Sequence, residues 1–302
     1  MSQVPTIQLV CQPKWMHDEF ISAEVNVQHS FGLEIPRFNI EDAWWMPQEF
    51  AVHLNQSLEA NKKHRVSLAA PGPYLLSDTP QKFTQRLVET ITVSEAKNAV
   101  ANGWWKLAEG KSDSFIAKHR ESKELVRDIE KSGLPDSTLL QFSPSTLPIQ
   151  SEYRVFVKSD KAVTASIYLQ KAKDGSEVTV YDGAIGDNAV LNDLYGFVEE
   201  ALSYVAHPGS LVVDVALLDD ESFAVLEYNP VWCSAWYNCD MTKVMESILE
   251  SKKDIEDWPY NPDVSLSDRL ARKATLPEAP KKVIIEQPVA KLRKPPVLLG
   301  NK

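Results

Sequence analysis

The chain has 302 residues, 43% hydrophobic and 25% charged, the balance of an ordinary globular protein and a length that suits two lobes better than one core. Its net charge of −10 hides an asymmetry: residues 271–302 carry eight Lys/Arg and two Asp/Glu, a charge of +6 that leaves −16 on the rest. So acidic a body argues against nucleic-acid binding, which needs a basic face, and no run nears the roughly 20 apolar residues of a membrane helix. Residues 1–10 lack the basic-then-apolar pattern of a secretory signal. The cysteines, Cys11, Cys233 and Cys239, are odd in number and lack metal-type spacing, so reduced thiols in a cytoplasmic protein are expected.

The predicted elements run as follows. Ile7–Val10 and Ile21–Val27 read as strands joined by a turn. Glu41–Leu58 reads as a helix, with Asp42 near its start and Trp44, Trp45, Phe50, Val52 and Leu54 as apolar contacts. Val66–Ala70 looks like a short buried strand stopped by Pro71-Gly72-Pro73. Gln81–Leu87 and Thr92–Ala101 are helix candidates, the second capped by Ser94 with Ala96 and Val100 inward. Gly103–Ala108 and Phe115–His119 form a strand pair, Glu121–Ser132 an amphipathic helix closed by Gly133 and Pro135, and Thr138–Phe142 a strand before the Pro-bearing link 143–148. Tyr153–Val157 and Val163–Leu169 flank a Ser159-Asp160 turn. Asn192–His207 is a helix, Ser210–Leu218 and Phe223–Asn229 a hairpin, and Met241–Ser251 a closing helix. After Leu276 the basic, Pro-containing chain is expected to be disordered.

The last hairpin carries the chemistry. A tip at Asp220-Glu221, or a four-residue loop Asp219–Ser222, puts Asp214 opposite Glu227, and Asn229 shares the Glu227 face. Val213, Val215 and Leu217 point away from the Asp214 face, and Ala224, Leu226 and Tyr228 away from the Glu227 face. Two facing carboxylates are unfavourable without a cation between them, and this oxygen set suits Mg²⁺; a solvated hairpin face is the alternative. Glu152 and Arg154 share a strand face, a fork for phosphate or carboxylate or else a salt bridge. Lys106 and Lys111 flank a Gly110 turn, as phosphate contacts or ordinary surface lysines. Trp44, Trp45, Trp104 and Trp105 are expected in cores, whereas Trp236 and Tyr237 are better placed to face a substrate.

The order Lys106, Lys111, Glu152-Tyr153-Arg154-Val155-Phe156-Val157, Val213-Asp214-Val215 and Val225-Leu226-Glu227-Tyr228-Asn229-Pro230 resembles the ATP-grasp superfamily, most of all the branch marked by one arginine and two lysines. The resemblance implies an α+β ATP-grasp fold, two lobes clasping ATP. A segment 1–85 would precede an ATP-grasp domain, 86–270, whose lobes meet near 141–152, with 271–302 as tail. Lys106 and Lys111 would touch phosphates, Gln141 and Phe142 would meet adenine, and Glu152 and Arg154 would lie on the nucleotide side. Arg154 would hold a phosphate or acyl-phosphate as the catalytic cation. Asp214, Glu227 and Asn229 would coordinate Mg²⁺, or Mn²⁺. Only Gly103 and Gly110 lend flexibility near the lysines, which implies a short lid. The implied reaction joins a small-molecule or peptide carboxylate to an amine with ADP release; a phosphotransferase or a catalytically silent nucleotide-binding module are the alternatives. No nucleic acid or membrane partner is expected, and oligomeric state is left open.

Overall fold

The computed structural model describes residues 6–10, 26–30, 39, 42–110, 114–171, 176–180, 183, 185 and 187–260. The expected tail 271–302 lies outside these described residues. Three sheets organise them. A parallel sheet near the N-terminus has the order β2-β1-β3, from β1 Thr6–Val10, β2 Asn26–Ser30 and β3 Ala43–Trp45. The first two strands are thus parallel neighbours rather than a hairpin, and the expected strand Ile21–Val27 lies mostly outside the described residues, its last two positions opening β2.

β3 falls where a helix was expected. Pro47 disfavours a helical conformation at the preceding Met46, so α1 starts late, at Gln48–Ala60. Trp44 and Trp45 then point to opposite sides of a strand and bury into two different clusters, Trp45 beside Ile7 and Trp236, Trp44 beside Phe50 and Trp232. Val66–Ala70 makes no strand; it is anchored by one bridge, Ala69 with Pro259. The short helices α2 Leu75–Asp78 and α3 Gln81–Thr84 follow.

The second sheet is antiparallel, β4-β7-β5-β6, from β4 Glu89–Thr92, β5 Gly103–Leu107, β6 Lys118–Arg120 and β7 Leu139–Ser143. Helices α4 Val93–Asn98 and α5 Ser122–Ser132 cover one face, against Trp105, Leu107, Leu140 and Phe142. Thr92, not Ser94, caps α4, through a reciprocal bond with Glu95. Val100 is 97% exposed instead of inward. Gly133 closes α5 with φ +60°. Gly103 is a packing glycine, since a Cβ there would meet the Ser143 carbonyl and the Phe142 ring.

The third sheet is antiparallel, β10-β9-β8-β11-β12, from β8 Ile149–Lys158, β9 Lys161–Lys171, β10 Glu177–Thr179, β11 Leu211–Leu218 and β12 Phe223–Asn229. Ser159 and Asp160 both adopt positive φ in the two-residue β8–β9 turn. α6 Asn188–Leu202 begins four residues before the expected Asn192, because Asp187 caps it, and packs on one face. α7 Met241–Glu250 packs on the other beside Phe156, Val212 and Trp236. Leu75, Leu76 and Phe83 join the α6 side, and Ile7, Leu9 and Trp45 the α7 side. Among the described residues no helix is long and apolar enough to cross a membrane.

Candidate functional site

Alternation places the site. On β5, Gly103, Trp105 and Leu107 are buried towards the helices, so Trp104 and Lys106 project from the other face. Gln141 of β7 pairs with Lys106 and projects with it, while Phe142 turns into the core, its ring 4.5 Å from Trp105. Across the cleft, Arg154 of β8 pairs with Asp214 of β11, which pairs with Glu227 of β12.

The last hairpin reaches this register by an unexpected route. Its loop is three residues, Asp219-Asp220-Glu221, with Glu221 at φ +66° and the Leu218 amide donating to the Ser222 carbonyl. A bulge follows: Val215 pairs with Val225 and Asp214 with Glu227, leaving Leu226 over. The three-residue loop sets Ala224 opposite Ala216, so Ala224 and Leu226 lie on the Asp214 side with Ala216 and Leu218, not on the opposite face as expected.

Four charges and one amide meet here. Arg154 grips Asp214 with two bonds, Nε to Oδ1 at 2.8 Å and Nη2 to Oδ2 at 2.7 Å, and Nη1 donates to the Ala235 carbonyl at 3.1 Å. Lys106 Nζ reaches Glu227 Oε2 at 2.6 Å and thereby ties the second sheet to the third. The Asn229 amide donates to both carboxylates, each at 3.1 Å. The positive charge demanded by the facing carboxylates thus comes from two side chains that flank them. Burial raises the Asp214 carboxyl above its ordinary range, with Arg154 pulling it back and Glu227 pushing it further up. Burial also works against the Arg154 charge, but the adjoining Asp214 outweighs it and holds the guanidinium above its usual value.

Tyr168 and Tyr237 frame Arg154, with ring centres 5.3 and 5.2 Å from its guanidinium carbon. Their rings stack at 5.1 Å. Tyr168 donates to Glu152, which does not line the cleft. Burial, reinforced by Asp214, raises the Tyr168 phenol far above its ordinary value and keeps it a donor. Trp236 is 3% exposed against Trp45 and faces no cleft. Lys111 lies outside the described residues.

Sequence reasoning missed Tyr168, Arg86, Gln48 and Tyr260. Tyr168 sits at an irregularity of the β8–β9 ladder, between the pairs Glu152↔Leu169 and Tyr153↔Ile167, so the turn alone does not place it. Arg86 was expected in a helix 81–87, but the helix ends at Thr84 with Gln85 at φ +53°, which frees Arg86 to donate to the Val225 and Leu226 carbonyls. Gln48 and Tyr260 bond to each other at 2.9 Å at the cleft wall.

The cleft has a volume of about 1290 Å³ and is lined by Lys106 and Gln141 on one side, Arg154, Glu227 and Asn229 on the other, and Trp45, Gln48 and Pro71 from the N-terminal part. No group of three or more His, Cys, Asp or Glu gathers among the described residues. Of the expected metal ligands, Glu227 and Asn229 line the cleft, and Asp214, 1% exposed, lies behind them in the grip of Arg154; carboxylate and amide oxygens are hard ligands of the type that Mg²⁺ accepts alongside water and phosphate. The set fits a divalent ion if the Asn229 amide turns its oxygen inward and Lys106 withdraws.

Among solved structures, the chain is similar to D-cycloserine synthetase DcsG, at 12% identity over 88% of this chain and 99% of that one with a TM-score of 0.49. It is similar to D-alanyl-alanine synthetase A from Vibrio cholerae, at 11% identity over 84% and 99% with a TM-score of 0.45. A RiPP-associated ATP-grasp ligase from Chryseobacterium gregarium, in complex with ADP and a leader and core peptide, matches at 11% identity over 86% and 99%, with a TM-score of 0.41. No curated protein sequence matches. The model of an ATP-grasp domain family, the second family of the clade named for one arginine and two lysines, matches residues 83–247, more than half of the chain, and the chain therefore belongs to that family.

Proposed function

We propose that this protein is an ATP- and Mg²⁺-dependent ligase that joins a carboxylate to an amine, or a related nucleophile, through an acyl-phosphate with release of ADP. The observation that carries the reading is the Lys106–Glu227 pair across the cleft, 2.6 Å long and about one-fifth exposed on each side. Its two halves are the groups a metal–nucleotide needs, a carboxylate for the cation and an ammonium for a phosphate. The Arg154–Asp214 pair is far more buried, at 8% and 1% exposure, so the outer pair is the one suited to exchange.

Asp214, Glu227 and Asn229 are the proposed Mg²⁺ holders, with Mn²⁺ as an alternative. The ion, when bound, supplies charge neutralisation on the phosphates. Lys106 then leaves Glu227 for a phosphate oxygen, Lys111 is its proposed companion, and Gln141 faces the nucleotide. Arg154 holds Asp214 in place with two hydrogen bonds and stands at the cleft wall as the proposed partner of the transferring phosphoryl group. Glu152 acts through Tyr168, and Phe142 has a packing role. In the proposed sequence an acceptor carboxylate oxygen attacks the γ-phosphorus and ADP leaves. The amine nitrogen then attacks the acyl carbon, phosphate leaves, and the amine proton passes to solvent. At about 1290 Å³ the cleft exceeds a typical single-ligand pocket, which supports room for nucleotide and acceptor together.

The test is ADP release from the full chain with a panel of small-molecule and peptide carboxylates and amines, alongside the melting shift given by Mg·ATP. Release that requires both acceptors is expected, and Glu227→Gln removes the shift. No shift in the wild type, or an equal shift in Glu227→Gln, sinks the reading.

A further inference from the structure

Arg86 sits on the outer edge of β12. Its Nη1 donates to the Thr84 carbonyl at 3.2 Å and the Val225 carbonyl at 3.3 Å, and its Nη2 to the Leu226 carbonyl at 3.3 Å. β12 is an edge strand hydrogen-bonded to β11, so carbonyls on its outer side lack a ladder partner. In a regular strand, neighbouring carbonyls point to opposite sides. Those of residues 225 and 226 meet one guanidinium because the bulge turns the chain between them.

The register shows what the bulge accomplishes. From the loop inward the pairs are Leu217↔Phe223, Ala216↔Ala224 and Val215↔Val225. Continued without interruption, the ladder would set Leu226 opposite Asp214 and Glu227 opposite Val213, on the face packed under α6. The extra residue brings Glu227 to the cleft. Arg86 is held there at a cost, since burial lowers its pKa to about 10 while the charge of Glu227 pulls the other way.

We propose that Arg86 is a positioning residue whose planar fork clamps the Val225-Leu226 bulge and so keeps Glu227 beside Asp214. It acts through the backbone and touches neither nucleotide nor metal. The geometry stands alone; its consequence for metal binding rests on the proposed nucleotide site. Lysine keeps the charge without the fork, and glutamine keeps neither, so both should loosen the clamp.

The test compares full-length wild type with Arg86→Lys and Arg86→Gln by hydrogen exchange of the segment 223–229, and by the Mg²⁺ concentration giving half of the ATP-induced melting shift. Expected are faster exchange confined to that segment and a Mg²⁺ midpoint raised about ten- to a hundredfold, the usual effect of losing a residue that orients a metal ligand, with any metal-free ATP shift unchanged. A plain packing role would lower the melting temperature and leave the Mg²⁺ midpoint alone. Wild-type exchange in both variants, or faster exchange with an unmoved midpoint, overturns the proposal. Absence of any Mg·ATP response in the wild type defeats the ligase reading instead, and the exchange data then decide the clamp alone. If neither variant folds, the same substitutions are made in a chain lacking Leu226, which has no bulge to hold: restored folding supports the clamp and continued misfolding overturns it.

Discussion

Asp214 and Glu227 face one another, yet they tolerate change differently. Asp214 is 1% exposed and doubly bonded to a buried arginine, so Asp214→Asn strips charge from a desolvated pair. Denaturant melts should show a loss of about 3–5 kcal/mol without any ligand. Glu227 is a fifth exposed and its partner Lys106 can turn to water, so Glu227→Gln should leave the ligand-free melting point within a few degrees; a loss as large as that of Asp214→Asn would mean the pairs were ranked wrongly. Two of the three thiols, Cys233 and Cys239, also separate. Burial pushes Cys239 up to about 12, whereas Cys233 lines the cleft, so alkylation of the folded protein near pH 8, mapped by mass spectrometry, should mark Cys233 well before Cys239. Arg154 and Asp214 were legible as inward-facing strand residues, and Asn229 as a companion of Glu227 by alternation, but Glu227 meets Asp214 only because the Leu226 bulge offsets a loop of different length from the one expected. Tyr168 and Arg86 were not legible, since a ladder irregularity places one and an early helix stop at Gln85 the other.

The elements are as readable as their local signals are strong. α5 and its Gly133 stop came from a clear apolar stripe and a glycine, and Gly133→Ala at φ +60° should cost about 1–2 kcal/mol in thermal melts. Gly103 has an ordinary backbone but no room, because a Cβ collides with β7. Gly103→Ala should therefore cost more than Gly133→Ala; a smaller effect would show that β5 and β7 can separate freely. The capping of α4 was written in Thr92-Val93-Ser94-Glu95, where the residue three before the glutamate decides and the nearer serine misleads. β3 escaped because two adjacent tryptophans suit a helix as well as a strand until Pro47 and a two-sided core are taken together.

At the scale of the molecule, the family match begins at residue 83, but the apolar clusters do not. Ile7, Leu9, Ala43 and Trp45 share a cluster with Phe156, Val212, Trp236 and Val244, so a fragment 83–260 should expose that surface and aggregate in sedimentation assays, while a chain ending at 276 should bind Mg·ATP as the full one does. This joint core was hidden from the sequence because the segments that share it lie more than a hundred residues apart. The Lys106–Glu227 bridge has one further effect. Lys106 and Glu227 neutralise one another across the cleft, so at the proposed site a metal and an anion arriving together would replace both halves of the bridge. On that proposal, ATP without a metal would find the ammonium engaged and a metal without ATP would leave it stranded, coupling the two occupancies by charge alone; raising ionic strength, which weakens the half-wet bridge more than the buried arginine fork, should loosen that bridge first.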